Sequence, residues 1–233
     1  FDFKKFKFFA GHSLGEYSAL VCSNALNFED ALYLLHERGK AMQEAVPVGK
    51  GSMIAVLGLS IEELESLISA SNEVEGVCEI ANDNADGQII ISGELKKVLK
   101  FNEILKSKKV KTIPLKVSAP FHCSLMKPAA NTMSKKINDT IFNQPTHEII
   151  TNVNAQAESK PENLKKFLID QIFSTVKWRE SIIEMANLGV KNFVEIGPGK
   201  ALTGMVKRTI KNVNTFSINS ITDIESLKNE FKR

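Results

Sequence analysis

A serine flanked by glycines, at the end of an apolar run, is the strongest chemical signal in this chain. Phe6-Lys7-Phe8-Phe9-Ala10 leads directly into Gly11-His12-Ser13-Leu14-Gly15-Glu16. The aromatic run suits a buried strand, and Tyr17, Ala19, Leu20 and Cys22 continue at helix-compatible spacing. Strand, sharp turn and helix with serine at the apex form a nucleophile elbow, which lifts a hydroxyl off the end of a sheet and aims it at a carbonyl. The glycines are there for physical reasons. The turn needs unusual backbone angles, and the helix must approach the strand closely. Ser13 also stands at a helix N-terminus, where unpaired N–H groups can hold a developing oxyanion. The competing reading is a glycine-flanked turn with a capping serine, so the partners of Ser13 decide.

A nucleophilic serine needs a base, and the chain offers His12, His36, His122 and His147. His12 adjoins the serine, so its ring should point away from it. His36 is expected off the apolar stripe of its helix, and His147 is expected to be exposed. His122, in Ser118-Ala119-Pro120-Phe121-His122-Cys123, follows a strand at an element end, where catalytic groups collect; it could also be a capping or core histidine. Arg38 lies four residues from both Leu34 and Met42, on an apolar helical stripe. An unpaired guanidinium is costly to bury, so Arg38 must either snorkel or meet an anion.

The elements that would position these groups alternate between strand and helix. Asn27 caps a helix predicted over 29–43, with Ala31, Leu34, Leu35, Ala41 and Met42 facing the core. Between about 51 and 117 the pattern reads strand 53–57, helix to 69 opened by a Ser60/Glu63 capping box, strand 77–81, a turn at Asn84-Ala85-Asp86-Gly87, strand 88–92, helix 94–106 and strand 110–117. That βαββαβ order is the ferredoxin-like unit, expected here as an inserted subdomain over 49–118. The remainder, 1–48 and 119–233, is expected to form an α/β-hydrolase-like core with a mainly parallel sheet: helix 122–138, strand 148–153, helices 162–173 and 179–188, strand 192–196, helix 200–209 and strand 215–218. Gly197-Pro198-Gly199 lacks the spacing of a phosphate loop and reads as a tight strand-to-helix turn. Asn82, Asn84 and Gln88 lie beside a turn that they could cap; the other reading is contact with a bound substrate. Lys106, Lys108, Lys109 and Lys111 form a basic run, read first as a solvated face and second as a dock for an acidic partner.

At 233 residues, 43% apolar and 24% charged, the composition is that of a globular domain with a sizeable core. No run is long and apolar enough for a membrane span, and no signal peptide is visible. The three cysteines, Cys22, Cys78 and Cys123, form no metal-ligand or disulfide pattern, so a reducing, cytosol-like compartment is expected. A net charge of +3 is too mild to suggest nucleic acid. The chain begins at Phe1 with a strand leading straight into the elbow, whereas nucleophile strands are usually central; a preceding segment is therefore expected.

Five further blocks extend the elbow into a pattern: Arg38-Gly39-Lys40 with Met42 to Pro47, Ala119-Pro120-Phe121-His122, Val176-Lys177-Trp178, Glu195 to Lys200, and Leu202-Thr203-Gly204. With Gly11 to Leu20 they cover nearly the whole chain, in order, and together resemble the malonyl-CoA:acyl carrier protein transacylases, and more widely the acyltransferase domains of fatty-acid and polyketide synthases. The resemblance implies that Ser13 takes malonyl from coenzyme A as an ester in a ping-pong cycle, with His122 as general base. It implies that Arg38 clamps the free carboxylate, which supplies the anion its position calls for. Gln171 matches the residue whose backbone carbonyl orients the histidine, and the Leu14 N–H matches one oxyanion donor. The family's second donor comes from an N-terminal Gly-Gln-Gly-type loop that this sequence does not contain. Phe121 matches a position that is bulky in malonyl-selective members, although it could equally be core. The implied partners are malonyl-CoA and an acidic, phosphopantetheinylated acyl carrier protein, with no cofactor, metal, nucleic acid or membrane. The alternatives are a serine esterase or thioesterase with the same elbow, or an inactive scaffold.

Overall fold

In the computed structural model, residues 3–71 and 75–230 are described. The main layer is built on β1 (Phe8–Ala10), which pairs in parallel with β6 (Glu148–Ile150), while β7 (Ala157–Glu158) returns antiparallel on the far side of β6. A second parallel ladder joins β8 (Asn192–Ile196) to β9 (Asn214–Ile218). The mainly parallel sheet is therefore present as two ladders, with one antiparallel return. That return follows from the tight turn after β6, where the Thr151 N–H donates to the Gln156 carbonyl.

Helices α1 (Gly15–Cys22), α2 (Phe28–Glu44), α5 (Lys127–Asp139) and α6 (Pro161–Gln171) cover the first ladder. Their buried faces, including Tyr17, Leu20, Leu34, Met42, Met133, Ile137 and Leu168, form the main core. Asn27 caps α2, accepting from the N–H groups of Glu29 and Asp30 at 2.8 and 3.2 Å, and the predicted stripe is buried at Ala31, Leu34, Ala41 and Met42, with Leu35 half-buried. A further cluster of Val176, Trp178, Ile182 and Val206 ties α7 (Trp178–Asn187) and α8 (Ala201–Thr209) to Ala10 and Phe193. The chain closes with α9 (Ile221–Glu230).

The middle of the chain forms β2 (Gly51–Leu57), α3 (Ile61–Ala70), β3 (Cys78–Ala85), β4 (Gln88–Glu94), α4 (Leu95–Ser107) and β5 (Lys111–Pro114). The sheet order β3-β4-β2-β5, antiparallel throughout, is the ferredoxin-like arrangement. The alternation along β2 feeds two cores: Ile54 and Val56 pack under α3 and α4, while Met53 and Ala55 face Leu115 and Phe121. The Ser60/Glu63 capping box is formed in both directions. This sheet joins the rest of the molecule where the Asp83 and Val176 N–H groups donate to the carbonyls of Val176 and Ala81, at 3.0 and 2.9 Å. Gly51 lies against the Pro120 ring, which a Cβ there would meet at 2.3 Å.

Four local expectations are corrected. Asn84 and Ala85 belong to β3, and the turn is confined to Asp86-Gly87, because the polar run finds tertiary partners: Arg179 Nε donates to Asp83 at 2.8 Å, and Asn84 bonds His12. The strand predicted over 110–117 is a four-residue edge strand. His122 does not open a helix; a 3-10 turn, Ser124–Met126, intervenes, and α5 begins at Lys127 with Pro128 in its first turn. Strand β6 stops at Ile150, since Thr151 and Asn154 close a side-chain bond in the following turn. Gly197 and Gly199 adopt φ of 144° and 98°, as the tight turn between β8 and α8 requires.

Candidate active site

The elbow is made by β1, the turn Gly11–Leu14 and α1. The unusual backbone angle falls on the serine rather than on a glycine: Ser13 has φ 52°. Gly11 supplies the close approach, since a Cβ there would lie 1.9 Å from the Gly15 carbonyl oxygen, whereas one on Gly15 would meet nothing within 4 Å. His122 is also left-handed, with φ 58°. Such conformations cost on the order of 1–3 kcal/mol each and persist where surroundings over-determine them.

Those surroundings are specific. The Ser13 N–H donates to Asn152 Oδ1 at 2.7 Å, and Asn152 Nδ2 donates to the Gly11 carbonyl at 2.8 Å. On the other side of the site, Glu79 of β3 accepts from both the N–H and the hydroxyl of Ser124, at 2.7 and 2.6 Å, fastening the turn just beyond His122.

Ser13 Oγ lies 2.7 Å from His122 Nε2, and His122 Nδ1 lies 2.9 Å from the backbone carbonyl of Gln171. A carbonyl can only accept, so Nδ1 carries the proton and Nε2 is free to accept from the serine hydroxyl. Arg38 is buried and donates through Nη2 to Ser13 Oγ and to Gln171 Oε1, both at 3.0 Å. Its Nε has no hydrogen-bond partner among the described residues, so the guanidinium is under-satisfied. Gln171 Nε2 in turn donates to the Ser13 carbonyl at 3.0 Å and to Glu16 Oε2 at 2.7 Å. The Leu14 N–H sits at the open start of α1, whose first bonds run from the N–H groups of Gly15 and Glu16 to the carbonyls of His12 and Ser13. Ser13, His122, Arg38, Gln171 and Leu14 are thus within one cluster. Phe121 packs between the main core and the inner face of the small sheet, so it is core whatever else it does.

The other histidines lie apart from Ser13 Oγ. His12 points away from it, bonding Asn84 Oδ1 at 2.8 Å and meeting Trp178 edge to face. His36 is exposed. His147, expected in solvent, is half-buried edge-on against Phe9. Asn82 lies within β3, and Gln88 accepts from Arg208 at 2.8 Å, so neither caps the turn. The lysines of the basic run are exposed. A cavity of about 590 Å³ opens beside His122, walled in part by Ile68, Cys78, Glu79, Phe173 and Thr175.

Burial, and then the Arg38 charge, push the His122 imidazole down to about 3, against the opposing bond to Gln171. The ring is therefore neutral, and able to accept a proton, at every pH well above that value. A base with its pKa lowered is lost only as pH falls through the lowered value. Single-turnover acylation of Ser13 at saturating acyl donor should accordingly show no break near the ordinary histidine value of about 6.5. A break there, absent from a Ser13-independent control, would show that His122 keeps an ordinary imidazole pKa despite its burial beside Arg38.

Two groups in this network were not assigned a role from the sequence. Glu16 is fully buried on α1, one turn after Ser13, and burial raises its carboxyl to about 7. A carboxylate one turn into an apolar helix was a legible hint. Asn152 follows the C-terminal end of a parallel strand, the side where ligand-facing groups gather.

A serine hydroxyl between a neutral imidazole and a buried cation is an arrangement that can support acyl transfer through serine. The chain belongs to the acyl transferase domain family, whose model matches residues 6–230. Its relatives include the malonyl CoA-acyl carrier protein transacylase of Bacillus subtilis, 42% identical over 94% of this chain and 69% of the relative. That of Escherichia coli is 39% identical over 90% of this chain and 68% of the relative. Among solved structures, the acyl-carrier-protein S-malonyltransferase of Bartonella henselae superposes with a TM-score of 0.94 at 42% identity, covering 99% of this chain and 73% of that one. The transacylase of Clostridium perfringens gives 0.91 at 41% identity, with 96% and 70% covered. A malonyl-transacylase in complex with a type II polyketide-synthase acyl-carrier protein gives 0.90 at 36%, with 94% and 72% covered. No helix among the described residues is long and apolar enough to cross a membrane.

Proposed function

We propose that this acyltransferase moves malonyl from malonyl-CoA to the phosphopantetheine thiol of an acyl carrier protein through a malonyl ester on Ser13, in fatty-acid synthesis. The observation that carries the reading is the buried Arg38 guanidinium 3.0 Å from Ser13 Oγ, where a substrate with a free carboxylate can satisfy it. The names of the relatives agree with that substrate and acceptor.

In the first half-reaction Ser13 Oγ attacks the thioester carbonyl as its proton passes to His122 Nε2. The tetrahedral oxyanion faces the Leu14 N–H, and collapse expels the coenzyme A thiol with the proton from His122. In the second half-reaction His122 takes the proton of the carrier thiol, whose sulfur attacks the ester carbonyl. Collapse then returns Ser13 Oγ to its hydroxyl form with that proton. The Gln171 carbonyl keeps His122 in the required tautomer, and Gln171 Oε1 keeps Arg38 turned to the serine. Phe121 narrows the acyl pocket against an α-methyl group, a discrimination of about 1–3 kcal/mol. Residues 49–118 act as an inserted subdomain beside the His122 loop, and the enzyme works in the cytoplasm.

The test is the fate of malonyl when the chain is given malonyl-CoA and holo carrier protein. Malonyl on the carrier thiol should dominate over free malonate. Predominant free malonate would make the chain a thioesterase, and failure to label Ser13 on a folded chain would make it a scaffold.

A further inference from the structure

Arg38 takes part in none of the ion pairs among the described residues. Its charge is instead met across an amide. Arg38 Nη2 donates to Gln171 Oε1 at 3.0 Å, and Gln171 Nε2 donates to Glu16 Oε2 at 2.7 Å. All three side chains are buried, and the Asn152 N–H adds a second, longer bond to Glu16 at 3.3 Å. The free site is therefore a cation and a carboxylate separated by one glutamine, in a place that water does not screen.

A substrate carboxylate on Arg38 would put a second negative charge on one buried cation, which a low-dielectric site resists. We propose that Glu16 is a positioning residue for carboxylate recognition: it holds Gln171, and through it Arg38, in the free enzyme, and takes up one proton from solvent when malonyl binds. This rests on the reading that Arg38 clamps the malonyl carboxylate. The charges balance: the guanidinium exchanges its amide-bridged partner for a direct one, and Glu16 becomes neutral.

The neighbouring groups leave Glu16 as the site of that proton. From α2 it faces Arg38, whose charge lowers it; from its own helix, Tyr17, pushed up to about 12 by burial. His122 is held neutral by burial, and burial also lowers His12. Gln171 and Asn152 do not titrate. Burial sets the Glu16 carboxyl at about 7 before substrate arrives, within reach of a modest further push.

The experiment uses calorimetric titration of malonyl-CoA into the full chain carrying Ser13→Ala, so that no acyl transfer follows, in buffers of different ionisation enthalpy. Acetyl-CoA, which shares the coenzyme phosphates but lacks the carboxylate, is the reference. Expected is net proton uptake for malonyl-CoA over acetyl-CoA at pH 8, vanishing at pH 5. Malonyl-CoA affinity, but not acetyl-CoA affinity, should tighten by about tenfold from pH 8 to pH 6. Adding Glu16→Gln should abolish both effects while malonyl-CoA still binds. Malonyl-CoA binding without proton uptake in the parent background, or uptake that survives Glu16→Gln, overturns the proposal. The parent pH series stands by itself if the Gln variant does not fold. If Arg38→Ala leaves malonyl-CoA affinity unchanged, the clamp reading itself has failed, an outcome distinct from a working clamp without a proton.

Discussion

A chain with Ser13→Ala should form no acyl adduct with malonyl-CoA and should lose transfer by on the order of 10⁴-fold or more. The size follows from what the hydroxyl does: it receives from Arg38 at 3.0 Å and lies 2.7 Å from His122 Nε2. Without it the base and the cation have no oxygen between them, and covalent transfer has no acceptor atom. The fold should survive, because the Asn152 bond at this position uses the Ser13 backbone N–H, which alanine keeps. Intact-mass measurement after incubation with malonyl-CoA, with a melting curve alongside, checks both halves. An adduct of parental yield on the alanine chain would move the nucleophile elsewhere.

Arg38→Ala should reverse acyl preference. Truncating one partner of a buried, hydrogen-bonded charge pair costs about 2–5 kcal/mol, so malonyl kcat/KM should fall by roughly 30- to 5000-fold. Acetyl transfer loses the Nη2 bond to Ser13 Oγ but no charge pair, and should fall far less. The ratio of the two rates is therefore the readout, and an equal fall in both would leave Arg38 a structural residue of the elbow. The change also removes the second cause of the depressed His122 pKa, so the acid limb of the reaction should move upward. Arg38→Lys should recover only part of the malonyl rate, since a single ammonium cannot reproduce the guanidinium fork.

The parts of the fold legible in the sequence are those set by near neighbours in the chain. The Asn27 cap, the stripe through Arg38, the Ser60/Glu63 box and the βαββαβ order all depend on contacts or periodicities within a few residues. The misjudged segments are those where a distant partner overrides local preference. Asn84-Ala85-Asp86-Gly87 reads as a turn from its first residue until Asn84 is found bonded to His12 and the neighbouring Asp83 to Arg179. His122 reads as a helix start until Glu79 is seen holding Ser124. In the site, Ser13, His122, Arg38 and the Gln171 carbonyl were expected together and lie together, whereas the side chain of Gln171 and the buried carboxyl of Glu16 were not foreseen. Their roles depend on four elements converging, and no local spacing encodes that. The elbow also carries its strain differently from expectation, on Ser13 itself, with Gly11 serving to let the helix close in.

The pairing of β1 with β6 has a consequence for how this protein can fail. Ala10 stands opposite Ile150, and only a few residues beyond that pair Asn152 reaches across to the Ser13 N–H and the Gly11 carbonyl. The ladder therefore acts as a vernier for the chemistry. A slip of one residue shifts a strand by about 3.3 Å and turns its side chains to the opposite face. Asn152 would then miss both targets, and the backbone of Ser13 would lose its brace. A misregistered molecule of this kind could keep its helices and its spectroscopic signature while being chemically silent, so the fraction of chains that can be acylated measures correct strand alignment more sharply than any count of secondary structure.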